Sequence, residues 1–372
     1  MSMTADAIVV GGGITGCSIA FHLASRGLRV TLLERRSIAS GPTGSSPAIL
    51  RCHYTDPAVT LLAQLSLRLF HEWRDQDGCG WGFVRTGFLT GIPSSELPQS
   101  NAHFLTVEDT TRLLPDLVPD GLAGSIYEPD AGYCDPAATA SALIAAAGRS
   151  GRLMIQNCVA ERILVSGGRV SGVQTLTGTI AAPVVVNAAG PWAARLAEAS
   201  RMELPIQATR HAVAVVQLPA APDLPGIPGY AERAAGFYLR PAAADLCFVG
   251  SLDPADSRVV DPDSYDIDVA EGDMRLYRVR AGRRLARLAR ARPRGGWASL
   301  FDMTPDGNPL VGRDARAMGS FLAAGLSGHG FKFFPLIGQG IADLITKERT
   351  DLPLEVFAAD RFPRLCPASA GT

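Results

Sequence analysis

The sequence predicts an α/β protein in which a parallel sheet flanked by helices is joined to a second, α+β domain with a mostly antiparallel sheet. Two observations lead to this prediction. The first forty residues read as a buried strand, a glycine-rich turn, a helix and a second strand, which is the order of a Rossmann-like βαβ unit. Residues 206–260 instead contain short apolar runs that alternate with polar side chains, a pattern typical of antiparallel strands.

Composition and charge narrow the class of protein. The chain has 372 residues, is 47% hydrophobic and carries a formal net charge of −1. This balance gives no reason to expect nucleic acid or an anionic membrane as a partner, and no apolar run approaches the ~18 residues that span a bilayer. The seven cysteines are scattered without a Cys-x-x-Cys pair, so we expect reduced thiols and no metal site. The N-terminus lacks a basic segment and a cleavage site, which favours a cytoplasmic protein.

The glycine-rich turn at 11–16 (GGGITG) carries the fingerprint of a dinucleotide-binding site. Gly11 allows the tight turn, Gly13 lets a pyrophosphate approach the backbone, and Gly16 lets the helix pack closely on the strand. The N-terminus of that helix offers unpaired N–H groups and a partial positive charge to the phosphates. Glu34 follows Gly16 by 18 residues and ends the second strand, about where an acid reaches a ribose hydroxyl.

The rest of the chain continues this mixed pattern. The predicted elements are a turn-rich connection at 37–60, a helix at 58–75, short strands and turns between 82 and 133, a helix from Asp135-Pro136 to Ala147, a hairpin across 163–173, a strand at 183–190 followed by a helix, strands at 212–216, 236–240 and 245–250, a helical region at 268–292, a strand at 320–325 and a helix ending near 346. We predict two discontinuous domains. Residues 1–82, 136–205 and 299–372 form the cofactor-binding domain, and residues 83–135 and 206–298 form the substrate-binding domain.

Lysine is rare in this chain. Of the 35 basic residues only Lys332 and Lys347 are lysines. A surface cation is therefore usually an arginine here. A lysine directly after the glycine-rich segment 325–330 (GLSGHG) thus points to a specific role.

Several separated segments together resemble the FAD-dependent amine and amino-acid oxidoreductases of the D-amino-acid-oxidase superfamily, which includes glycine oxidase, the sarcosine oxidases and dimethylglycine dehydrogenase. The matching segments run in the same order over nearly the whole chain and are 8–34, 43–51, 133–136, 186–192, 302–307 (DMTPDG) and 327–332 (SGHGFK). The last two are the most specific. They are most similar to the branch that contains the sarcosine-oxidase β-subunit and dimethylglycine dehydrogenase.

The resemblance implies FAD as the cofactor. Glu34 would hold the adenosine ribose, Val159 would contact the adenine, and residues 328–332 would lie against the flavin ring. The full set assigned to the cofactor is Gly11, Gly13, Ile14, Thr15, Gly16, Glu34, Arg35, Thr43, Gly44, Ser45, Ser46, Val159, Ala188, Gly190, Trp192, Gly328, His329, Gly330, Phe331 and Lys332. We expect the FAD to be non-covalent, because Ser299 stands where some sarcosine oxidases carry a flavin-linking cysteine.

The resemblance also implies the reaction, which is oxidation of the C–N bond of a small amino acid or N-alkyl amino acid by hydride transfer to the flavin, giving an imine that hydrolyses. A substrate carboxylate needs a cation, and nearby positive charge favours the neutral amine. The candidate catalytic and substrate-binding residues are Lys332, Arg51, His53, Tyr238 and Arg240. Lys332 is the first choice, because it is rare in this chain and adjoins the flavin loop.

Each candidate also has a simpler interpretation. Arg51 would equally bind the phosphate or ribityl part of FAD, and Arg240 would be a surface residue at a strand end. Tyr238 would be a pocket wall or a core aromatic, and His53 would pack in a loop. Lys332 would be an ordinary lysine at a helix start.

Two other functions stay open, namely a flavin subunit of a hetero-oligomeric dehydrogenase and an NAD(P)H-dependent FAD hydroxylase. The expected partners are a small amine or amino-acid substrate and O2 or another electron acceptor, with an oligomer or hetero-complex as further alternatives. The sarcosine oxidases use a substrate-domain lysine in their reaction with oxygen. This chain has no lysine before Lys332, and Phe248 stands at that place, which favours a dehydrogenase or a different oxygen site.

Overall fold

A computed structural model describes residues 3–77, 80–96, 103–220, 226–242 and 245–362. The predicted mixture of a helix-flanked parallel sheet and a mostly antiparallel sheet is confirmed. In the part of the chain that is described, no helix is both long enough and apolar enough to cross a membrane.

A six-stranded sheet carries the glycine-rich turn. Its first five strands are parallel, and the sixth pairs antiparallel with the fifth. In spatial order the strands are Leu153–Asn157, Val30–Glu34, Ala7–Val10, Val185–Asn187, Ser320–Ala324 and Leu310–Arg313. The strand predicted from residue 28 begins two residues later, because Leu28 still belongs to the turn after the first helix and its N–H donates to the Leu23 carbonyl.

Four helices cover this sheet and pack on one another. They are Ile14–Ser25, Pro57–Asp77, Pro136–Gly148 and Gly330–Thr346. The first and last helices approach so closely that a Cβ atom on Gly338 would lie 1.9 Å from the Ser18 hydroxyl oxygen. That hydroxyl donates to the Phe334 carbonyl at 2.9 Å. The third helix begins as predicted, with the Asp135 carboxylate accepting the Ala138 N–H at 2.9 Å.

The large sheet has nine strands drawn from two separate parts of the chain. All its strand pairs are antiparallel except the one between Gly229–Glu232 and Phe88–Pro93. In spatial order the strands are Arg258–Val259, Gln207–Gln217, Leu246–Ser251, Phe237–Pro241, Gly229–Glu232, Phe88–Pro93, Leu122–Glu128 and Phe104–Thr106, with Arg292–Met303 paired on the free side of Gln207–Gln217. Its apolar face is covered by Glu271–Arg284 and Ala286–Ala289.

Two predictions about this part of the chain are wrong. The helical region expected at 268–292 ends at Ala289, and a strand begins at Arg292. Pro293 has no N–H to continue a helix, and Gly295 and Gly296 have φ angles of +96° and +155°. This strand also crosses residue 299, at which we predict the start of the last segment of the cofactor-binding domain. The domain boundaries remain predictions.

The second error is a missed helix, Val107–Leu113, in a region predicted to hold only strands and turns. The signal for it was the Thr-x-x-Asp spacing, because the Thr106 hydroxyl accepts the Asp109 N–H at 3.2 Å. The remaining short helices are Gly80–Gly82, Gly190–Trp192, Ala193–Ala199, Pro254–Asp256, Leu354–Phe357 and Ala359–Arg361.

Two small sheets complete the fold. The first contains Met3–Thr4, Gly178–Ala181, Arg169–Thr175 and Ala160–Ser166, and its last two strands form the predicted hairpin. The second contains Ile49–Leu50, Gly132–Tyr133 and Val84–Arg85. In this second small sheet the strand Ile49–Leu50, which Arg51 directly follows, is paired with Gly132–Tyr133.

Candidate active site

The glycine-rich turn holds a helix N-terminus at the carboxyl ends of the parallel strands. Gly11 has a φ angle of +109°, and a Cβ atom there would lie 2.2 Å from the Ala188 carbonyl oxygen. A Cβ atom on Gly16 would lie 1.9 Å from the Gly11 carbonyl oxygen. Neither position accepts a side chain, so the turn stays close to the sheet. The Ile14 N–H, which has no partner within its helix, donates to the Thr43 hydroxyl at 2.9 Å.

A cavity of about 1120 Å³ opens along this turn. Of the predicted site residues, those that line it are Gly11, Gly13, Ile14, Thr15, Gly16, Glu34, Arg35, Thr43, Ser45, Ser46, Val159, Ala188, Gly190, Trp192, Tyr238, Gly328, Gly330 and Phe331. The structure therefore brings together most of the residues that the resemblance assigned to the cofactor. Gly44, His329 and Lys332 were also assigned to the cofactor and are not among the residues that line the cavity. The Gly44 N–H donates to the Ala39 carbonyl at 2.9 Å, and it thereby shapes the turn that carries Thr43.

Glu34 is placed at the end of its strand beside the glycine-rich turn. One carboxylate oxygen accepts the Gly12 N–H at 2.7 Å and the other accepts the Arg36 N–H at 2.8 Å. These two contacts fix the carboxylate at the cavity wall and leave further lone pairs for hydroxyl donors.

Two helix N-termini face the same cavity. The helix Ile14–Ser25 begins at the glycine-rich turn, and the helix Gly330–Thr346 begins at the second glycine segment, whose Gly328 and Gly330 line the cavity. Helix N-termini favour negative charge. The shape and the donors thus fit a long dinucleotide with phosphates at one helix and an anionic ring edge at the other.

A second group of charged residues includes Lys332, which follows the lining residues Gly330 and Phe331, and the residues Arg51 and Glu128, whose charges act on it. Arg51, His53 and Lys332 are not among the residues that line the cavity. Lys332 is half-buried in the first turn of the last helix. Burial and, to a lesser extent, the Arg51 charge lower the pKa of Lys332 to about 7, although the Glu128 charge opposes them. The carbonyl of Lys332 accepts the Ser66 hydroxyl at 2.7 Å, which ties this turn to the neighbouring helix.

The segment that carries Arg51 and His53 packs against the same group. The Arg51 guanidinium donates to the His53 carbonyl and lies 4.9 Å from the centre of the Tyr54 ring. The Tyr54 hydroxyl is 3.0 Å from Nδ1 of His329. Burial, together with the charges of Lys332 and Arg51, holds the pKa of His329 well below its usual range. His329 is therefore neutral at physiological pH.

Glu128 is the main residue of this group that the sequence analysis missed. Its Oε1 atom accepts the backbone N–H groups of Cys52 and His53, the latter at 3.2 Å. Its Oε2 atom is enclosed and has no hydrogen-bond partner among the residues that the structure describes. Burial raises the pKa of Glu128, while Arg51 and the two N–H groups lower it. The cluster of Arg51, Lys332 and Glu128 combines two basic groups with one acid.

Arg240 lies apart from this group. Its guanidinium is 4.0 Å from the centre of the Tyr133 ring and 4.3 Å from that of Phe248. Arg240 is only 7% exposed, so the simpler interpretation of Arg240 as a surface residue is wrong. Tyr238, on the same strand, does line the cavity. Arg240 is thus held between two aromatic rings, outside the residues that line the cavity.

The strand Arg292–Met303 adds Ser299, Leu300, Phe301 and Asp302 to the cavity wall. Ser299 and Phe301 line it, and the Phe301 ring stacks on His211 with ring centres 3.9 Å apart. Asp302 also lines it and was missed as a site residue. Burial raises the pKa of Asp302 to about 6, although nearby backbone N–H groups oppose this. Within the described part of the chain, its Oδ2 atom has no hydrogen-bond partner. Asp302 could have been found from the sequence, because it is an acid in the mostly apolar C-terminal part of this strand.

Comparison with known proteins agrees with this geometry. The family model for FAD-dependent oxidoreductases matches residues 6–344. The chain belongs to this family. FAD is therefore its cofactor, and the resemblance to the D-amino-acid-oxidase superfamily is confirmed.

Three relatives of this FAD-dependent oxidoreductase illustrate the range of the family. Human mitochondrial sarcosine dehydrogenase is 27% identical over 96% of this chain, but the chain spans only 41% of that protein's length. Glycine oxidase from Geobacillus kaustophilus is 27% identical over 96% of this chain and 97% of its own. The crystal structure of L-proline dehydrogenase from P. horikoshii superposes with a TM-score of 0.88 at 26% identity, covering 98% of this chain and 99% of that one.

Proposed function

We propose that this FAD-dependent oxidoreductase oxidises the C–N bond of a small amino acid or N-alkyl amino acid to an imine, which water then hydrolyses. FAD supplies the hydride acceptor for this step. The protein's own residues bind the substrate, orient it and set its protonation. The observation that carries the proposal is the position of Lys332, which directly follows the cavity-lining residue Phe331 and is close enough to Arg51 and Glu128 to feel their charges.

Lys332 and Arg51 would hold the substrate carboxylate. Charge-assisted hydrogen bonds to a carboxylate are the strong ones in proteins, and a partly buried site strengthens them further. The Glu128 carboxylate offsets one of the two positive charges, so that the cluster is left with a net charge of about +1 when Lys332 is protonated. One substrate carboxylate then neutralises it.

The same positive charge would favour the reactive form of the substrate. An amine must lose its ammonium proton before its C–H bond is oxidised, and nearby cations lower the pKa of an ammonium group. Neutral His329 adds no charge of its own to the site. Tyr238 would then form part of the wall against which the substrate is oriented.

The FAD is proposed to be bound without a covalent link, because Ser299 and not a cysteine lines the cavity on the strand Arg292–Met303. Acid denaturation should therefore release all of the flavin into the supernatant. Yellow colour that stays with the precipitated protein would contradict this part of the proposal.

The electron acceptor is proposed to be a molecule other than O2. Phe248 packs edge-on against Trp297 with ring centres 4.9 Å apart, and the Trp297 indole N–H donates to the Ser45 carbonyl at 2.8 Å. By the resemblance to the sarcosine oxidases, Phe248 occupies the position of their oxygen-activating lysine. A cytoplasmic location and assembly into an oligomer or hetero-complex likewise remain proposals.

Anaerobic titration tests the function directly. The purified yellow protein is mixed with glycine, sarcosine, proline and other D-, L- and N-methyl amino acids, and the visible absorbance band of the oxidised flavin is followed. Loss of this band with one amino acid supports the proposal. Loss only with NADPH would favour a hydroxylase, and no loss with any of these compounds would favour a subunit that needs its complex.

A further inference from the structure

One segment of the chain passes over the cofactor cavity between its two points of attachment to the nine-stranded sheet. This segment, residues 261–267, is called the strap below. At its start the Val260 N–H donates to the Ala208 carbonyl at 3.0 Å, and at its end the Ile267 carbonyl accepts the Ala298 N–H at 2.7 Å. Both ends are thereby fixed to the nine-stranded sheet.

Arg210 strengthens the second attachment. Its guanidinium donates to the Asp266 carbonyl at 2.8 Å and to the Asp268 carbonyl at 2.5 Å. Because Arg210 belongs to the strand Gln207–Gln217, the end of the strap is tied to a second strand of that sheet. Residues 262–267 of the strap line the cofactor cavity.

The middle of the strap is held to the opposite side of the cavity mainly through the carboxylate of Asp263. It accepts the Arg35 guanidinium at 2.7 Å, the Trp192 indole N–H at 2.8 Å and the Arg195 guanidinium. Arg35 also stacks on the Trp192 ring at 3.7 Å. Asp261 adds a second ion pair to Arg195 at 2.7 Å.

These donors come from the dinucleotide-binding side of the molecule. Arg35 directly follows Glu34, the acid expected at the adenosine ribose, and Trp192 follows the turn that contains Ala188 and Gly190. All of them line the same cavity as the strap. The Asp263 contacts therefore lie at the adenosine end of the cavity.

We propose that Asp263 is a positioning residue that holds the strap closed over the adenosine half of FAD, so that FAD leaves the protein only when the Asp263 contacts break. This inference rests on FAD binding and is independent of which amine is oxidised. The Asp263 side chain is 49% exposed, so water and salt reach its ion pairs. The strap is thus closed by contacts that can open in water.

Asp263 stays charged under ordinary conditions. Partial burial raises its pKa, but the hydrogen bonds from Arg35 and Trp192 outweigh this and lower it overall. Protonation near neutral pH is therefore not what opens the strap. Ionic strength, which weakens exposed ion pairs, is the condition that should change the rate of opening.

The test measures the release of FAD from the purified holoprotein. Wild-type protein and the Asp263→Asn variant are diluted, and free FAD is followed by its fluorescence. We expect release to be at least roughly tenfold faster in the variant, the factor that corresponds to about 1.4 kcal/mol. Added NaCl should accelerate release from the wild type more than from the variant, since only the wild type has charged Asp263 contacts to screen.

Asp6→Asn is the matched control. Asp6 pairs with Arg29 at 2.7 Å, and neither residue lines the cavity, so its release rate should equal that of the wild type. Equal rates in Asp263→Asn and the wild type would overturn the proposal. If Asp263→Asn is purified without FAD, the apoprotein is reloaded with FAD and its release is measured in the same way. Faster release then supports the proposal, and unchanged release overturns it.

Discussion

The Tyr54 hydroxyl lies 3.0 Å from Nδ1 of His329 and joins two segments that are 275 residues apart in sequence. One segment carries Arg51, and the other is the glycine turn that precedes Lys332. The two rings also meet edge-on, with centres 5.2 Å apart. The relative position of the two cations proposed to bind the substrate therefore depends on this contact.

Tyr54→Phe should weaken that connection. Removing one buried hydrogen bond costs about 1 kcal/mol, which in a chain of this size lowers Tm by about 2 °C. Thermal unfolding of the holoprotein measures this change. Tyr127→Phe is the control for loss of a tyrosine hydroxyl, because Tyr127 lies on the large sheet with its hydroxyl near Gly87. The proposed link requires that Tyr54→Phe, but not Tyr127→Phe, also weakens the binding of a carboxylate inhibitor.

Carboxylate binding should depend on the protonation of Lys332. The pKa of Lys332 is lowered to about 7, chiefly by burial, so the ammonium form is lost as pH rises through 7. The Kd of a simple carboxylate ligand, followed by its effect on the flavin spectrum, should therefore increase above pH 7. Lys332→Met should bind the ligand roughly tenfold to a hundredfold more weakly and lose this pH dependence.

Lys347→Met is the control for that experiment. Lys347 lies just after the same helix and pairs with Asp343 at 2.9 Å, with a side chain that is 63% exposed. Its replacement should change neither the Kd nor the pH dependence. Wild-type affinity in Lys332→Met with FAD still bound would rule out Lys332 as the carboxylate-binding residue.

Glu128→Gln should move the pH at which carboxylate binding is lost. The negative charge of Glu128 raises the pKa of Lys332, so its removal should lower that pKa and shift the loss of binding below pH 7. Because glutamine keeps an oxygen to accept the N–H groups of Cys52 and His53, the local fold should be retained. A pH dependence identical to that of the wild type would mean that Glu128 has only a structural role.

Asp302→Asn should stabilise the protein at neutral pH. The pKa of Asp302 is raised to about 6 by burial, whereas an unfolded aspartate has a pKa of about 3.9. The folded protein holds this proton more tightly, so Asp302 costs stability as pH rises from about 4 to about 6 and above. We expect a higher Tm than that of the wild type at pH 7.5, with a difference that shrinks towards pH 4.5.

Asp306→Asn should have the opposite effect at neutral pH. Arg361 pairs with Asp306 at 2.7 Å, and the pKa of Asp306 is lowered, because this pairing outweighs partial burial. The ionised form therefore stabilises the folded protein, and its loss lowers Tm. If both variants shifted Tm in the same direction at pH 7.5, the buried charge of Asp302 would not explain its effect.

The parts of the fold that depend on local sequence could be predicted. The glycine-rich turn at 11–16 and the acid at Glu34 were identified because their spacing along the chain reflects one βαβ unit. The helix at Asp135 was identified from its cap. The strand Arg292–Met303 was misjudged at its start, because arginine runs carry little information about backbone conformation.

Residues whose role comes from distant contacts could not be predicted. Glu128 meets Cys52 across 76 positions, and Asp263 meets Arg35 across 228. Neither carboxylate belongs to a recognisable motif, and each resembles an ordinary acid at a strand end or in a loop. Only the folded chain brings these residues to their partners.

The half-buried position of Lys332 also makes this side chain a useful site for chemical labelling. Because the chain has only one other lysine, an amine-acylating reagent has two side-chain targets, of which Lys347 is exposed and ion-paired. At mildly alkaline pH Lys332 is mostly in its nucleophilic, uncharged form. The extent of its acylation, read by peptide mass, would then serve as a footprint of ligand occupancy that requires no turnover.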